Sequence, residues 1–145
     1  MSTAATKPLS AVVVGMGKSG YSAARYLLAR GTRVAVTDSR AQPPELARLR
    51  SLGEQITMRV GGFDASLLEH ADLVVVSPGV ALSGAFFEQA RARGLPMVGD
   101  IELFARAVRA PVAGITGTNG KSTVTTLLAL MAQKSGLRIA AGGNL

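Results

Sequence analysis

Short β-branched runs alternate with helix-length segments through the first two thirds of this chain, and that alternation leaves few folds open. Ala11-Val12-Val13-Val14 and Leu73-Val74-Val75-Val76 are unbroken apolar runs, as strands buried on both faces require. Arg33 to Thr37, Ile56 to Val60 and Pro96 to Val98 read as further strands. Between them lie helical segments: Ser19 to Arg30, ended by Gly31; one opened by Pro43-Pro44 and ended by Gly53; a short one around Leu67 and Leu68; Ser83 to Arg93; and Asp100 to Arg109. Strands joined by crossovers of this length pair in parallel and bury both sheet faces under helices. The expected fold is therefore α/β, a Rossmann-like doubly wound parallel sheet.

A parallel sheet gathers the carboxyl ends of its strands on one edge, where open α/β sheets bind ligands. Three loops of note share that edge: Gly15-Met16-Gly17-Lys18-Ser19-Gly20, Asp38-Ser39-Arg40 and Ser77-Pro78-Gly79. The first fits G-x-G-x-x-G, a loop that brings a diphosphate to a helix start, and Asp38 follows Gly20 by 18 residues, in the place of a ribose-binding carboxylate. Lys18 and Arg40 suit an anionic ligand. The plainer reading remains open, in which the glycines serve helix-to-strand packing and the two cations are ordinary surface residues.

A second glycine loop, Gly114-Ile115-Thr116-Gly117-Thr118-Asn119-Gly120-Lys121-Ser122-Thr123, lies near the end of the 145 residues. The strict phosphate-loop pattern asks for Gly at 115, where Ile stands, but the physical content is kept. Gly117 and Gly120 let backbone N–H groups converge on phosphate oxygens at a helix start. Lys121 offers a charge to the β and γ phosphates, Ser122 a hydroxyl to Mg²⁺, and Thr123 closes the first turn. Pro111 to Ile115 reads as a preceding strand and Ser122 to Ser135 as the following helix, ended by Gly136. The alternative is a mere glycine-rich turn. The boundary falls at Arg109-Ala110-Pro111: residues 1–109 form one domain, and 110–145 begin a second with a strand, a helix and a strand.

Composition excludes other classes. Cysteine is absent, so disulfides and Cys-based metal sites are ruled out, and no run reaches the length of a membrane span. A cytoplasmic protein without a membrane partner is expected. The net charge of +7 raises nucleic acid, but the arginines are spread over helical segments with few aromatics to stack bases, so no nucleic-acid partner is expected. His70, the one histidine, reads as a surface residue.

Taken together, Gly15 to Gly20, Ser77-Pro78-Gly79-Val80, Gly99-Asp100-Ile101-Glu102-Leu103-Phe104 and Ile115 to Thr126 resemble the Mur ligases of peptidoglycan synthesis over essentially the whole chain. The most discriminating stretch is Gly117 to Thr123 followed by Val124-Thr125-Thr126, and Gly142-Gly143-Asn144 fits a family segment that reaches the sugar nucleotide. The resemblance implies an ATP- and Mg²⁺-dependent ligase that forms an amide between UDP-N-acetylmuramoyl-L-alanine and D-glutamate through an acyl phosphate. It implies that the first domain holds UDP rather than a dinucleotide. Gly17, Lys18 and Ser19 would meet the diphosphate, Asp38, Ser39 and Arg40 the uridine, Gly79 the nucleotide through its backbone, and Asn144 would reach in from the second domain. Gly117, Thr118, Asn119, Gly120, Lys121, Ser122 and Thr123 would hold ATP, with Lys121 and Ser122 catalytic and Ser122 on the metal. Lys18 stands where the family resemblance leads one to expect an apolar residue.

The family also uses a downstream acidic metal ligand, a modified lysine, a histidine and a third domain, none within residues 1–145. The sequence therefore reads as the amino-terminal portion of such an enzyme, binding UDP with negligible turnover alone. The alternatives are a stand-alone NAD(P)-binding oxidoreductase or sensor, and a purely structural module. The full enzyme is expected to be monomeric. Val112, Ile115, Leu127, Leu128, Leu130, Met131, Leu137 and Ile139 are more apolar than one strand-helix-strand unit can cover, so residues 111–145 are expected to pack abnormally, self-associate or be partly mobile.

Overall fold

The computed structural model describes residues 9–143. They form two compact units that divide between Val108 and Arg109.

The first unit is a five-stranded sheet of β1 (Ser10–Val14), β2 (Arg33–Asp38), β3 (Ile56–Val60), β4 (Leu73–Val76) and β5 (Met97–Gly99), in the order β3-β2-β1-β4-β5. Every pairing is parallel, as the alternation of strands and helices predicts. Helices α1 (Lys18–Leu28), α2 (Leu46–Arg50) and α3 (Ala85–Ala92), with a 3-10 helix at Ala65–His70, make the four crossovers, and α4 (Asp100–Ala107) follows β5.

Alternate residues of the central strands feed two cores. Ala11 and Val13 of β1 and Leu73 and Val75 of β4 pack with Ala23, Ala24 and Leu27 of α1, Leu49 of α2 and Leu103 of α4. Val12, Val14, Val74 and Val76 point the other way, onto Leu68, Phe86, Phe87 and Ala90. Both faces being covered, the period-2 alternation of side chains demands an apolar residue at every position. Phe63, Phe86 and Phe87 form a cluster of tilted and edge-on rings with centroids 5.2 to 5.9 Å apart.

Helix α1 ends as its residues dictate: Gly31 takes φ +75, and the N–H groups of Gly31 and Thr32 return to the carbonyls of Leu28 and Leu27. Helix α2 is shorter than the predicted span from Pro43 to Leu52. Glu45 stands at φ −101 and ψ 14 as the cap and not as a helical residue, and its N–H donates to the Met16 carbonyl at 3.1 Å, holding it against the first glycine loop. Arg48 of α2 then bonds Glu45 and lies 4.1 Å from the centroid of the Tyr21 ring on α1.

In the second unit, α5 (Lys121–Lys134) follows the predicted helix within a residue. The predicted strands do not form: residues 111–117 and 137–142 have no strand assignment. A strand exists only as a member of a ladder, and among the described residues neither segment has a partner. No residue of α5 is buried, and Val124, Leu127, Leu128, Leu130 and Met131 are exposed. That agrees with the apolar excess read from the sequence.

The tightest point of the first unit is the turn from β1 into α1. A Cβ on Gly20 would sit 1.8 Å from the Gly15 carbonyl oxygen, a backbone atom that can yield only if β1 or α1 moves. Gly20→Ala is expected to cost roughly 3 kcal/mol or more of stability. The urea midpoint measures it, and an unchanged midpoint would contradict the packing described.

Candidate functional site

The register aligns the carboxyl ends of the central strands, with Val14 opposite both Thr37 and Val76. The chain then runs outward in opposite directions from β1, to β2 and β3 on one side and to β4 and β5 on the other. Between those diverging connections opens a cleft of about 520 Å³. Such crevices, outside the strand ends where the order reverses, are the ligand sites of open α/β sheets.

Each wall has a local cause. Gly15 adopts φ +99, and its N–H donates to the Thr37 carbonyl at 2.8 Å. A Cβ there would meet Cβ and Oγ of Ser77 at 2.9 Å, so the first and third loops touch across a glycine. Ser77, Pro78, Gly79 and Val80 make a turn closed by the Val80 N–H on the Ser77 carbonyl. Pro at its second position and Gly79 at φ +87 in its third are the residues a type II turn calls for. On the far side, the Thr37 hydroxyl donates to the Gly62 carbonyl at 3.1 Å and accepts from the Asp64 N–H at 3.2 Å. That holds residues 62–64 at the rim and places Phe63 in the wall.

Of the residues singled out in the sequence, Gly17, Asp38, Ser39, Arg40 and Gly79 meet in this cleft. Lys18 and Ser19 stand next to it as the first two residues of α1, without lining it. Asn144 lies outside the described residues. The loop from Gly117 to Thr123 belongs to the second unit. Val80, quoted from the sequence without a site role, lines the cleft, as do Phe63, Ala81 and Ser83, which were not singled out. Phe63 carried a usable signal, an aromatic directly after Gly61-Gly62 at the end of a strand on the ligand edge.

Asp38 is 2% exposed and its carboxylate is fully engaged. Oδ1 accepts from the Arg40 N–H and Nε, both at 2.9 Å, while Oδ2 accepts from the Met16 N–H and from Arg40 Nη2, both at 2.7 Å. Burial alone would push this acid up. The Arg40 fork and the backbone donors of Met16 and Arg40 outweigh it and hold Asp38 at about 2. The sequence reading of Asp38 as a ligand for ribose or uridine thus meets a carboxylate whose acceptor positions are taken by the protein itself.

Gly17 differs from the other glycines of its loop. Its φ of −94 suits any residue, and a Cβ built on it meets nothing within 4 Å. No side chain caps α1, and its first turn holds no acidic residue. Donors at the start of α1 thus lie beside open space.

In the second unit, Gly117 takes φ +150 and Gly120 φ +76 ahead of α5, whose start is likewise without a side-chain cap. Lys121 Nζ donates to the carbonyls of Gly117 and Thr118 at 2.6 and 3.3 Å, curling over the loop. Among the described residues no group of three His, Cys, Asp or Glu side chains could hold a metal, and no helix is long and apolar enough to cross a membrane. His70 ends the 3-10 helix and is exposed.

These features define a Rossmann-like α/β domain with its crevice at the topological switch point. The chain belongs to the Mur ligase family, residues 9–99 matching the Mur ligase MurD-like, N-terminal domain. It is 57% identical over 136 residues to the UDP-N-acetylmuramoylalanine-D-glutamate ligase of Nitrosococcus oceani, covering 94% of this chain and 30% of that protein. The enzyme of the same name from Pseudomonas aeruginosa is 51% identical over 92% of this chain and 30% of its own length. The chain thus spans about 30% of the length of these curated relatives. Among solved structures, it is similar to a murein peptide ligase from Psychrobacter arcticus, with TM-score 0.65 and 27% identity over 88% of this chain and 27% of that one. The UDP-N-acetylmuramate-alanine ligase of Thermotoga maritima shares the fold, with TM-score 0.62 and 22% identity over 86% of this chain and 29% of that one.

The depressed Asp38 pKa gives a signed prediction. The unfolded chain holds Asp38 near 3.8 and the folded one at about 2, so its contribution is complete above roughly pH 4 and is lost as pH falls through 2. Asp38→Asn is expected to lower stability by about 2 kcal/mol at neutral pH. The gap between the two proteins should close between pH 4 and pH 2 in denaturant titrations; a gap independent of pH would count against the clamp.

Proposed function

We propose that the first unit binds the uridine diphosphate part of UDP-N-acetylmuramoyl-L-alanine, and that the protein is an ATP-dependent ligase joining D-glutamate to it in peptidoglycan synthesis. Residues 1–109 would be the UDP-substrate domain and 110–145 the beginning of the ATP-binding domain, in a cytoplasmic enzyme. The observation that carries the UDP reading is Gly17. Neither its backbone angles nor its surroundings call for glycine, which leaves close approach of a ligand to the α1 N–H groups as the reason for a missing side chain.

In this reading Lys18 and Ser19 give backbone N–H groups to the diphosphate. Ser39, Arg40 and the Gly79 backbone meet the uridine end, with Phe63 as the apolar wall. Asp38 acts by fixing Met16 and Arg40 rather than by touching ligand. Asn144 keeps its proposed contact with the sugar nucleotide.

The second loop fits a nucleotide triphosphate and its Mg²⁺. Two glycines at positive φ precede an uncapped helix, and a lysine lies across the loop. ATP would supply the phosphoryl group that activates the L-alanyl carboxylate. Gly117, Thr118, Asn119, Gly120 and Thr123 would cradle the phosphates, Lys121 would exchange its two carbonyl partners for phosphate oxygens, and Ser122 would offer its hydroxyl to the metal.

A stand-alone NAD(P)-binding domain is the competing reading, since the same loop and Asp38 would serve it. The filled carboxylate of Asp38 disfavours it. Parallel calorimetric titrations of the 145-residue chain with UDP and NAD separate the two. UDP is expected to bind and NAD not, whereas NAD binding without a response to UDP would overturn the proposal. Gly17→Ala is expected to weaken UDP roughly tenfold or more, about 1.4 kcal/mol, while costing no more than about 1 kcal/mol of stability.

A further inference from the structure

Charge balance at the rim of the cleft leads one step further, on the reading of that cleft as a UDP site. Two cations belong to the loops at this edge. Arg40 is committed, its Nε and Nη2 lying on the Asp38 carboxylate at 2.9 and 2.7 Å, so the pair presents little net charge to an approaching anion. Lys18 is the opposite case. It is the first residue of α1 and exposed, and among the described residues it takes part in no ion pair.

A lysine in the first turn of a helix is repelled by the positive end of the helix dipole, and α1 offers no acidic residue in that turn to offset it. The position is therefore unfavourable in the free protein and becomes favourable only when an anion arrives. Side chains tilt back toward the start of their helix, and here that direction leads toward Gly17, around which a Cβ finds nothing within 4 Å. A diphosphate set against the α1 N–H groups would bring its charge within reach of this ammonium and of no other free cation in the loops that frame the cleft, among the described residues.

We propose that the Lys18 ammonium is the charge partner of the ligand's diphosphate, adding a salt-sensitive ion contact to the N–H groups of α1. The base and ribose are left to the Ser39, Arg40 and Gly79 side of the cleft.

The test uses the 145-residue chain, with UDP and uridine titrated at low and high salt into wild type, Lys18→Met and Lys18→Arg. Wild type should bind UDP more weakly as salt rises. Lys18→Met should lose roughly tenfold in UDP affinity at low salt and show a flatter salt dependence, with uridine affinity unchanged. Lys18→Arg should keep most of the UDP affinity. Without ligand, Lys18→Met should melt no lower than wild type, because the cation removed was opposing the helix dipole. Wild-type UDP affinity and salt slope in Lys18→Met would overturn the inference, as would an equal loss for uridine. Absence of UDP binding by the wild type would instead overturn the reading of the cleft, and the inference with it.

Discussion

The turn from β1 into α1 is the constraint on which the rest of the first unit depends. Gly15 bends the chain at a positive φ, and Gly20 lets α1 lie so close to that bend that no side chain would fit between them. This approach aims the start of α1 at the strand ends. It also brings the Met16 N–H to the Asp38 carboxylate and the Met16 carbonyl to the Glu45 N–H. One turn thus ties three successive segments to the same edge of the sheet.

Asp38 completes that arrangement electrostatically. A carboxylate 2% exposed would be costly alone, but it gathers four donors from two loops and one guanidinium. The outcome is a cleft whose acid is spent internally, whose Arg40 is held in one orientation, and whose helix start is left without a cap. A dinucleotide site needs its acid free for ribose hydroxyls. The fold is common to sites of many kinds, so the use of that one carboxylate is what bears on the ligand.

Much of this was legible in advance, for identifiable reasons. Val12 and Val74 sit in runs apolar at every position, and only strands covered on both faces call for that, so the parallel sheet and its ligand edge followed. Gly17, Asp38, Ser39, Arg40 and Gly79 were placed on that edge by the same logic and meet in the cleft. Harder to read were features that depend on a partner. The segments 111–115 and 137–140 have strand-like residues but no ladder among the described residues. The helix expected from Pro43 begins only at Leu46, with Glu45 as a non-helical cap bonded to the Met16 carbonyl. Phe63 enters the wall because a hydroxyl 26 residues earlier, on Thr37, holds its loop.

The sequence by itself determined the element order, the parallel pairing and the glycine loops, because periodicity and backbone freedom are properties of neighbouring residues. Membership of the Mur ligase family follows from that same local record. Tertiary structure alone decided which polar groups remain available. Asp38 reads as a ligand until folding surrounds it with four donors, and only the folded chain shows that Arg40 is paired while Lys18 takes part in no ion pair among the described residues. Hydrogen-bond capacity is finite and is allotted between residues distant in sequence, so only the folded chain shows what is left for a ligand.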